Sequence, residues 1–140
     1  DERIIDVVIK TGQANAYTFS LSSPTLVLWK AKGMSIQEFV NIPDNITPVP
    51  GSGIDNVVKV PYEWVYDAVE VFDARSANNS KRLAPSADAG YALQTDVFLG
   101  HSLIRHVDKE ASAASGYEVL TDTNNSLNDF YESEKQSLYE

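Results

Sequence analysis

Short apolar and β-branched runs, broken by turn residues, dominate this chain, and that pattern predicts strands rather than helices. Residues 4–9 form the first such run, ended by Thr11-Gly12-Gln13. Tyr17, Phe19 and Leu21 then alternate with Thr18 and Ser20, the period of a half-buried strand. After the turn at Ser22-Ser23-Pro24, residues 25–29 (Thr-Leu-Val-Leu-Trp) lack alternation and predict a more fully buried strand. Further strands are expected at 57–60, 64–72, 97–99 and 102–107, with a last one at 117–120. On the 64–72 strand, Val65, Val69 and Val71 share a face that Asp67 interrupts.

Two stretches read differently. Ile36, Phe39 and Val40 sit at helical spacing behind Ser35, and Ser35 with Glu38 fits a capping box, so one helical turn is expected there. Near the end, Leu127, Phe130, Tyr131, Glu134 and Leu138 recur at the period of a short amphipathic helix. Segment 127–140 is therefore expected to be helical or irregular, docked or frayed. Between them, residues 43–53 hold three prolines and two glycines and predict an irregular loop or crossover. Turns recur about every ten residues without strand–helix alternation, which points away from a parallel α/β fold and toward an all-β sandwich or barrel.

The length of 140 residues suits one domain, 1–140, and 43% apolar content suits a folded one. Twenty acidic against eleven basic residues give a net charge of −9. That balance repels phosphate backbones and anionic lipid heads, so neither nucleic acid nor a membrane surface is an expected partner. The absence of cysteine excludes disulfides and thiolate chemistry. No apolar run approaches the ~20 residues of a spanning helix. The abrupt start, Asp1-Glu2-Arg3 into Ile4-Ile5, reads as a processed chain or the later part of a longer protein.

The polar residues offer little catalytic geometry. His101 and His106 are the two histidines, and on one strand a spacing of five puts them on opposite faces, unable to share a metal. Ser102 adjoins His101 but lacks a nucleophile elbow. Glu63, Asp67, Glu70 and Asp73 cluster in sequence without a spacing that sets an acid against a base. In the run 122–129, Asp122, Asn124, Ser126 and Asp129 supply oxygens at near-alternate positions, as a calcium loop does. The same residues build Asx turns, and Leu127 and Ser133 stand where an EF-hand needs glycine and glutamate. The expectation is a turn cluster, with calcium as the one cofactor worth testing. Three glycosylation-type triplets begin at Asn45, Asn78 and Asn124, a pattern too common to carry weight. Trp29 and Trp64 read as core anchors rather than sugar platforms.

Four segments, read in order, carry a resemblance: 60–70 (Val-Pro-Tyr-Glu-Trp-Val-Tyr-Asp-Ala-Val-Glu), 81–90 (Lys-Arg-Leu-Ala-Pro-Ser-Ala-Asp-Ala-Gly), 100–105 (Gly-His-Ser-Leu-Ile-Arg) and 121–130 (Thr-Asp-Thr-Asn-Asn-Ser-Leu-Asn-Asp-Phe). Over residues 57–130 the chain resembles a Bacteroidetes outer-membrane lipoprotein family, a domain of unknown function related to lamin-tail-like, immunoglobulin-type β-sandwiches. The Val-x-Asp-x-Val and Gly-x-Ser-Leu-x-Arg strands are the elements shared with lamin-tail domains. The resemblance implies a site at the cell surface, outside the outer membrane, and brings no catalytic residues with it. Asp67 and Arg105, each in an otherwise apolar strand, are expected to pair, because a lone charge there is costly.

The reading is thus an all-β, immunoglobulin-like (lamin-tail-like) antiparallel sandwich with a short C-terminal segment, and not an enzyme. Its expected role is a non-catalytic binding or accessory subunit of a TonB-dependent-type outer-membrane transport complex. The expected partner is an outer-membrane β-barrel protein or another fragment of the same precursor. The alternative is an adhesive or structural surface module that binds host or glycan material.

Overall fold

The computed structural model describes residues 25–49, 51, 53, 56–95, 97 and 99–135. The strands expected at 4–9 and 17–21 lie outside the described residues. The fold is mostly β, built from small sheets and a few short helices. Contacts divide the chain into two compact units: Leu28–Tyr66 belong to the first, residues 25–27 and 67–135 to the second. Among the described residues no helix is long and apolar enough to cross a membrane.

In the first unit, helix α1 (Ile36–Val40) starts at a complete capping box. The Ser35 hydroxyl accepts from the Glu38 N–H while the Glu38 carboxylate accepts from the Ser35 N–H, so two orphan donors of the first turn are satisfied. That capping holds the Glu38 carboxyl below its usual range, through the backbone and side-chain hydrogen bonds from Ser35. α1 aims Phe39 inward, where it meets Trp29 and Trp64 with ring centroids 5.6 and 4.9 Å away, the two indoles stacking at 6.4 Å. Asn45 ties off the helix by donating to the Phe39 carbonyl at 2.9 Å. The proline-rich stretch is more regular than its composition predicts. A 3-10 turn at Pro43–Asn45 leads into strand β2 (Ile46–Pro48), antiparallel to β3 (Asn56–Val58) in the register Ile46↔Val58. Pro48 closes β2 at its last position, where a missing donor is tolerated.

The second unit turns on β4 (Val65–Asp73), central in a three-stranded sheet between β1 (Thr25–Trp29) and β5 (Ala92–Gln94). β4 and β5 pair in parallel, Val71↔Ala92, and Phe72 stacks on Tyr91 at 4.3 Å. β6 (Ser102–Arg105) and β7 (Phe130–Ser133) form an antiparallel pair, Arg105↔Phe130. Helix α2 (Lys109–Ser115) runs from the Asp108 cap, whose carboxylate accepts from Ala111 N–H, to Gly116, whose φ of 78° supplies the left-handed C-terminal residue.

Several expectations are corrected here. Val97 and Leu99, the described residues of the strand expected at 97–99, lie in turns, and β5 at Ala92–Gln94 is the strand before them, where the small Ala92 fits into the core beside β4. Residues 117–120 contribute a single bridge, Val107↔Leu120. Val119 is engaged instead by Ser112 of α2 and by the Asp108 N–H. The amphipathic helix from 127 stops after one turn, α3 (Ser126–Asp129), because the β6 edge takes up 130–133 as a strand. Of the expected docking face, Leu127, Phe130 and Tyr131, the first and last are exposed, and Phe130 is half-buried under the Arg105 guanidinium. β1 is not a fully buried strand: as the edge of its sheet it leaves Leu26, Val27 and Leu28 open to solvent.

Candidate functional site

The largest fully buried side chains among the described residues are acids: Glu70, Asp88 and Asp129, each 0–1% exposed. An unpaired carboxylate at such depth costs several kcal/mol, so each must be neutralised or saturated with donors. Glu70 lies on β4 beside Ala68, on the face opposite the Val65/Val69/Val71 stripe. Its two oxygens accept from the Arg82 N–H at 2.9 and 3.0 Å, one also from the Thr25 hydroxyl at 3.3 Å, and Lys81 Nζ stands 3.2 Å away. Asp88 gathers a second set of donors. Its Oδ1 accepts from the N–H groups of Gly90 and Ser126, both at 3.0 Å, and its Oδ2 from Glu70 N–H at 3.4 Å, with Lys81 Nζ at 3.7 Å. Burial pushes the Asp88 carboxyl up, but the bonds from Ser126 and Gly90 and the Lys81 charge outweigh it and hold the group below its ordinary value.

The network is tightest at Gly90, where a Cβ would fall 1.9 Å from Asn125 Oδ1, so no larger residue fits without displacing the neighbouring loop. That loop is the 122–129 run. Asp129 turns inward and accepts from the Thr123 N–H at 3.0–3.1 Å, the Thr123 hydroxyl at 2.7 Å and the Asn125 N–H at 3.4 Å. Asp122 accepts from Asn124 N–H, and Asn124, at φ 57°, donates its side-chain amide to the Pro85 carbonyl. Ser126 is buried and its N–H serves Asp88. The four residues singled out for calcium thus do not converge: Asp129 and Ser126 face the interior network, and Asp122 closes an exposed Asx turn.

The other candidates are placed as follows. Arg105 Nη2 lies 2.7 Å from Asp67 Oδ2, and its guanidinium sits 4.8 Å from the centroid of the Phe130 ring. Asp67, Glu70 and Asp73 share a strand yet have separate partners, Arg105, Lys81 and Arg75. Glu63 belongs to the other unit. His101 Nδ1 is 3.0 Å from Glu132 Oε1, whose other oxygen accepts from Thr95 N–H, while the His106 ring packs on Tyr131 at 4.8 Å. Among the described residues no three of His, Asp and Glu are arranged to hold a metal. Trp29 and Trp64 lie in the aromatic cluster of the first unit. Sequence reasoning missed Lys81, Asp88 and the inward role of Glu70. The available signal was the small residue at every close approach, Ala68, Gly90 and Ala92.

Compared with known proteins, residues 2–137 match the family described as Protein of unknown function (DUF4876), a span wider than the 57–130 that carry the resemblance. The crystal structure of a DUF4876 family protein from Bacteroides thetaiotaomicron VPI-5482 is similar, with a TM-score of 0.69 and 27% identity over 87% of this chain. The chain spans 33% of that protein's length. No curated protein matches.

Proposed function

This chain belongs to the DUF4876 family, and from that premise we propose that it is a non-catalytic binding or accessory domain of a bacterial cell-surface assembly. The observation that carries this reading is where the chemistry lies. The buried carboxylates are engaged by donors of the fold itself, whereas large apolar side chains such as Leu28, Leu99 and Tyr117, each about two-thirds exposed, stand in solvent. Polar groups spent on internal hydrogen bonds hold loops in place, and exposed apolar groups are what a partner buries. The partner is an outer-membrane β-barrel of the TonB-dependent type or another fragment of the same precursor, and the site of action is the outer face of the outer membrane.

The finer fold reading is part of the same proposal: the small sheets belong to an immunoglobulin-like, lamin-tail-like sandwich. In its support, the Val-x-Asp-x-Val and Gly-x-Ser-Leu-x-Arg segments are both strands, β4 and β6, and the Asp67–Arg105 pair ties them together. An experimental structure in which β4 and β6 lie in facing sheets supports it; one continuous sheet overturns it.

Gentle detergent extraction from native membranes, followed by size-exclusion chromatography and mass spectrometry, tests the functional reading. A stoichiometric β-barrel protein travelling with the chain is the expected result. A chain that elutes alone and folded overturns the transporter assignment. The adhesive alternative draws on the exposed Tyr66 and Tyr117, whose rings have an apolar body and a polar tip suited to sugars. Glycan binding without a membrane partner would decide for it.

A further inference from the structure

Lys81, Glu70 and Asp88 have a geometry that goes beyond a buried ion pair and is independent of the binding role above. Lys81 Nζ lies 3.2 Å from Glu70 Oε2 and 3.7 Å from Asp88 Oδ2. The two carboxylates are 0% and 1% exposed, so one amine is held against two buried acids, with the lysine side chain 30% exposed. The oxygens of Asp88 are differentiated. Oδ1 accepts two backbone N–H bonds, from Gly90 and Ser126, both at 3.0 Å, and Oδ2 faces the amine. Two backbone donors converging on one oxygen of a carboxyl group, with a nucleophile beside the other, is the arrangement that stabilises a tetrahedral acyl intermediate.

We propose that Lys81 and Asp88 condense into an intramolecular isopeptide bond, with Glu70 as the proton shuttle. The Lys81 ammonium gives one proton to Glu70, which passes it to Asp88 Oδ2. The freed amine attacks Cγ and forms the C–N bond, and the C–Oδ1 π pair moves onto Oδ1, where the Gly90 and Ser126 N–H groups hold the charge. Nζ then gives a second proton to Glu70, which delivers it to Oδ2. The C–Oδ2 bond breaks, water leaves, and the pair on Oδ1 restores the carbonyl. Nζ keeps one hydrogen as the amide N–H, Glu70 ends as it began, and nothing is oxidised or reduced. Fixed neighbours in such intramolecular reactions reach effective concentrations of ~10⁵–10⁸ M, and a positioned proton shuttle adds ~10²–10⁴-fold. Together these are what an unactivated carboxyl needs. The product links the 81–90 segment to itself under the buried network and leaves the Asp88 carbonyl oxygen its two N–H donors.

Intact-mass spectrometry of the full chain, unfolded before measurement and after long incubation at neutral and mildly acidic pH, tests the inference. The expected mass is that of the sequence less one water, with peptide mapping placing a branch between Lys81 and Asp88. Lys81→Arg keeps the positive charge and the pairing but cannot condense, and is expected at its full mass. Asp88→Asn keeps the Oδ1 acceptor and is expected to lose ammonia in place of water. Glu70→Gln, which keeps the amine and the acid, is expected to remain unlinked over the same incubation. Wild-type chain at its full encoded mass, or a water loss that persists in Lys81→Arg, overturns the proposal.

Discussion

Asp129 decides whether the 122–129 loop is held by hydrogen bonds or by a cation. The perturbation is Asp129→Ala. It removes a buried acceptor that takes three donors: the Thr123 N–H, the Thr123 hydroxyl and the Asn125 N–H. Hydrogen bonds to a charged group contribute ~1.5–3 kcal/mol each, and a donor left unmade costs ~1–3 kcal/mol. Thr123 is exposed and Asn125 half-buried, so water recovers part of this loss. The expected cost is about 2–4 kcal/mol, a large share of the ~5–15 kcal/mol that holds a domain together. Asp129→Asn keeps one acceptor oxygen without the charge and is expected to cost about half as much. Asp122→Ala removes a carboxylate that accepts from Asn124 N–H at an exposed turn, and is expected to cost less than ~1 kcal/mol.

The assay is equilibrium urea unfolding followed by far-ultraviolet circular dichroism, with hydrogen exchange read at Thr123 and Asn125. Tryptophan fluorescence is the wrong probe, because Trp29 and Trp64 both belong to the first unit and Asp129 to the second. In wild-type protein, chelation is expected to leave the midpoint unchanged. A ligand at a hundred times its Kd adds ~2.7 kcal/mol, far above the resolution of the method. If Asp129→Ala costs no more than Asp122→Ala, the inward carboxylate is not what holds the loop. If calcium raises the wild-type midpoint but not that of Asp129→Ala, a cation is the holder.

For the Asp67–Arg105 pair, a double-mutant cycle with Asp67→Asn and Arg105→Met is expected to give a coupling of about 1 kcal/mol in urea unfolding, since Asp67 is about a third exposed. Arg105→Met alone is expected to cost ~0.5–1 kcal/mol more than that coupling, through its contact with the Phe130 ring. In the Lys81→Arg chain, which keeps the positive charge and the free carboxyl, Asp88 makes the acid limb of stability steep. Its folded carboxyl sits below the ordinary 3.8, so near that pH the unfolded chain binds more protons; the stabilisation is full above it and is lost as pH falls through the folded value. Adding Asp88→Asn to Lys81→Arg is expected to flatten the fall of the unfolding midpoint below about pH 4; an unchanged slope refutes the assignment. Gly90→Ala is expected to destabilise by ~1–3 kcal/mol, because its Cβ meets Asn125 Oδ1 at 1.9 Å; a thermal melt equal to wild type would show that the loop gives way freely.

What could be read in the sequence divides along one physical line, local against non-local. The α1 capping box, the β1 and β4 runs and the Gly-x-Ser-Leu-x-Arg strand are set by neighbours within a few residues, and hydropathy or a cap reports them directly. α2 was also local, with Asp108 before it and Gly116 after it, but Lys-Glu-Ala-Ser-Ala-Ala-Ser carries no apolar stripe, so periodicity passed over it. β5 and β7 owe their form to distant partners. Residues 127–131 have helical spacing, and it is the β6 edge, some 25 residues earlier in the chain, that makes 130–133 a strand.

The candidate site was least legible of all, because its rule inverts the usual one. On β4 the valine face invites a reading as the core, yet the fully buried positions are Ala68 and Glu70 on the other face. An acid belongs there only because Lys81 and the Arg82 N–H arrive from eleven and twelve residues downstream. Those donors reach it only because Asp88 fixes the following turn on Gly90 and Ser126. Each of these buried charges is tolerable given the others and costly alone. The network should therefore form late and together rather than strand by strand. Removing any one member should cost more than its own contacts, and paired substitutions such as Glu70→Gln with Lys81→Met should cost less than the sum of their parts.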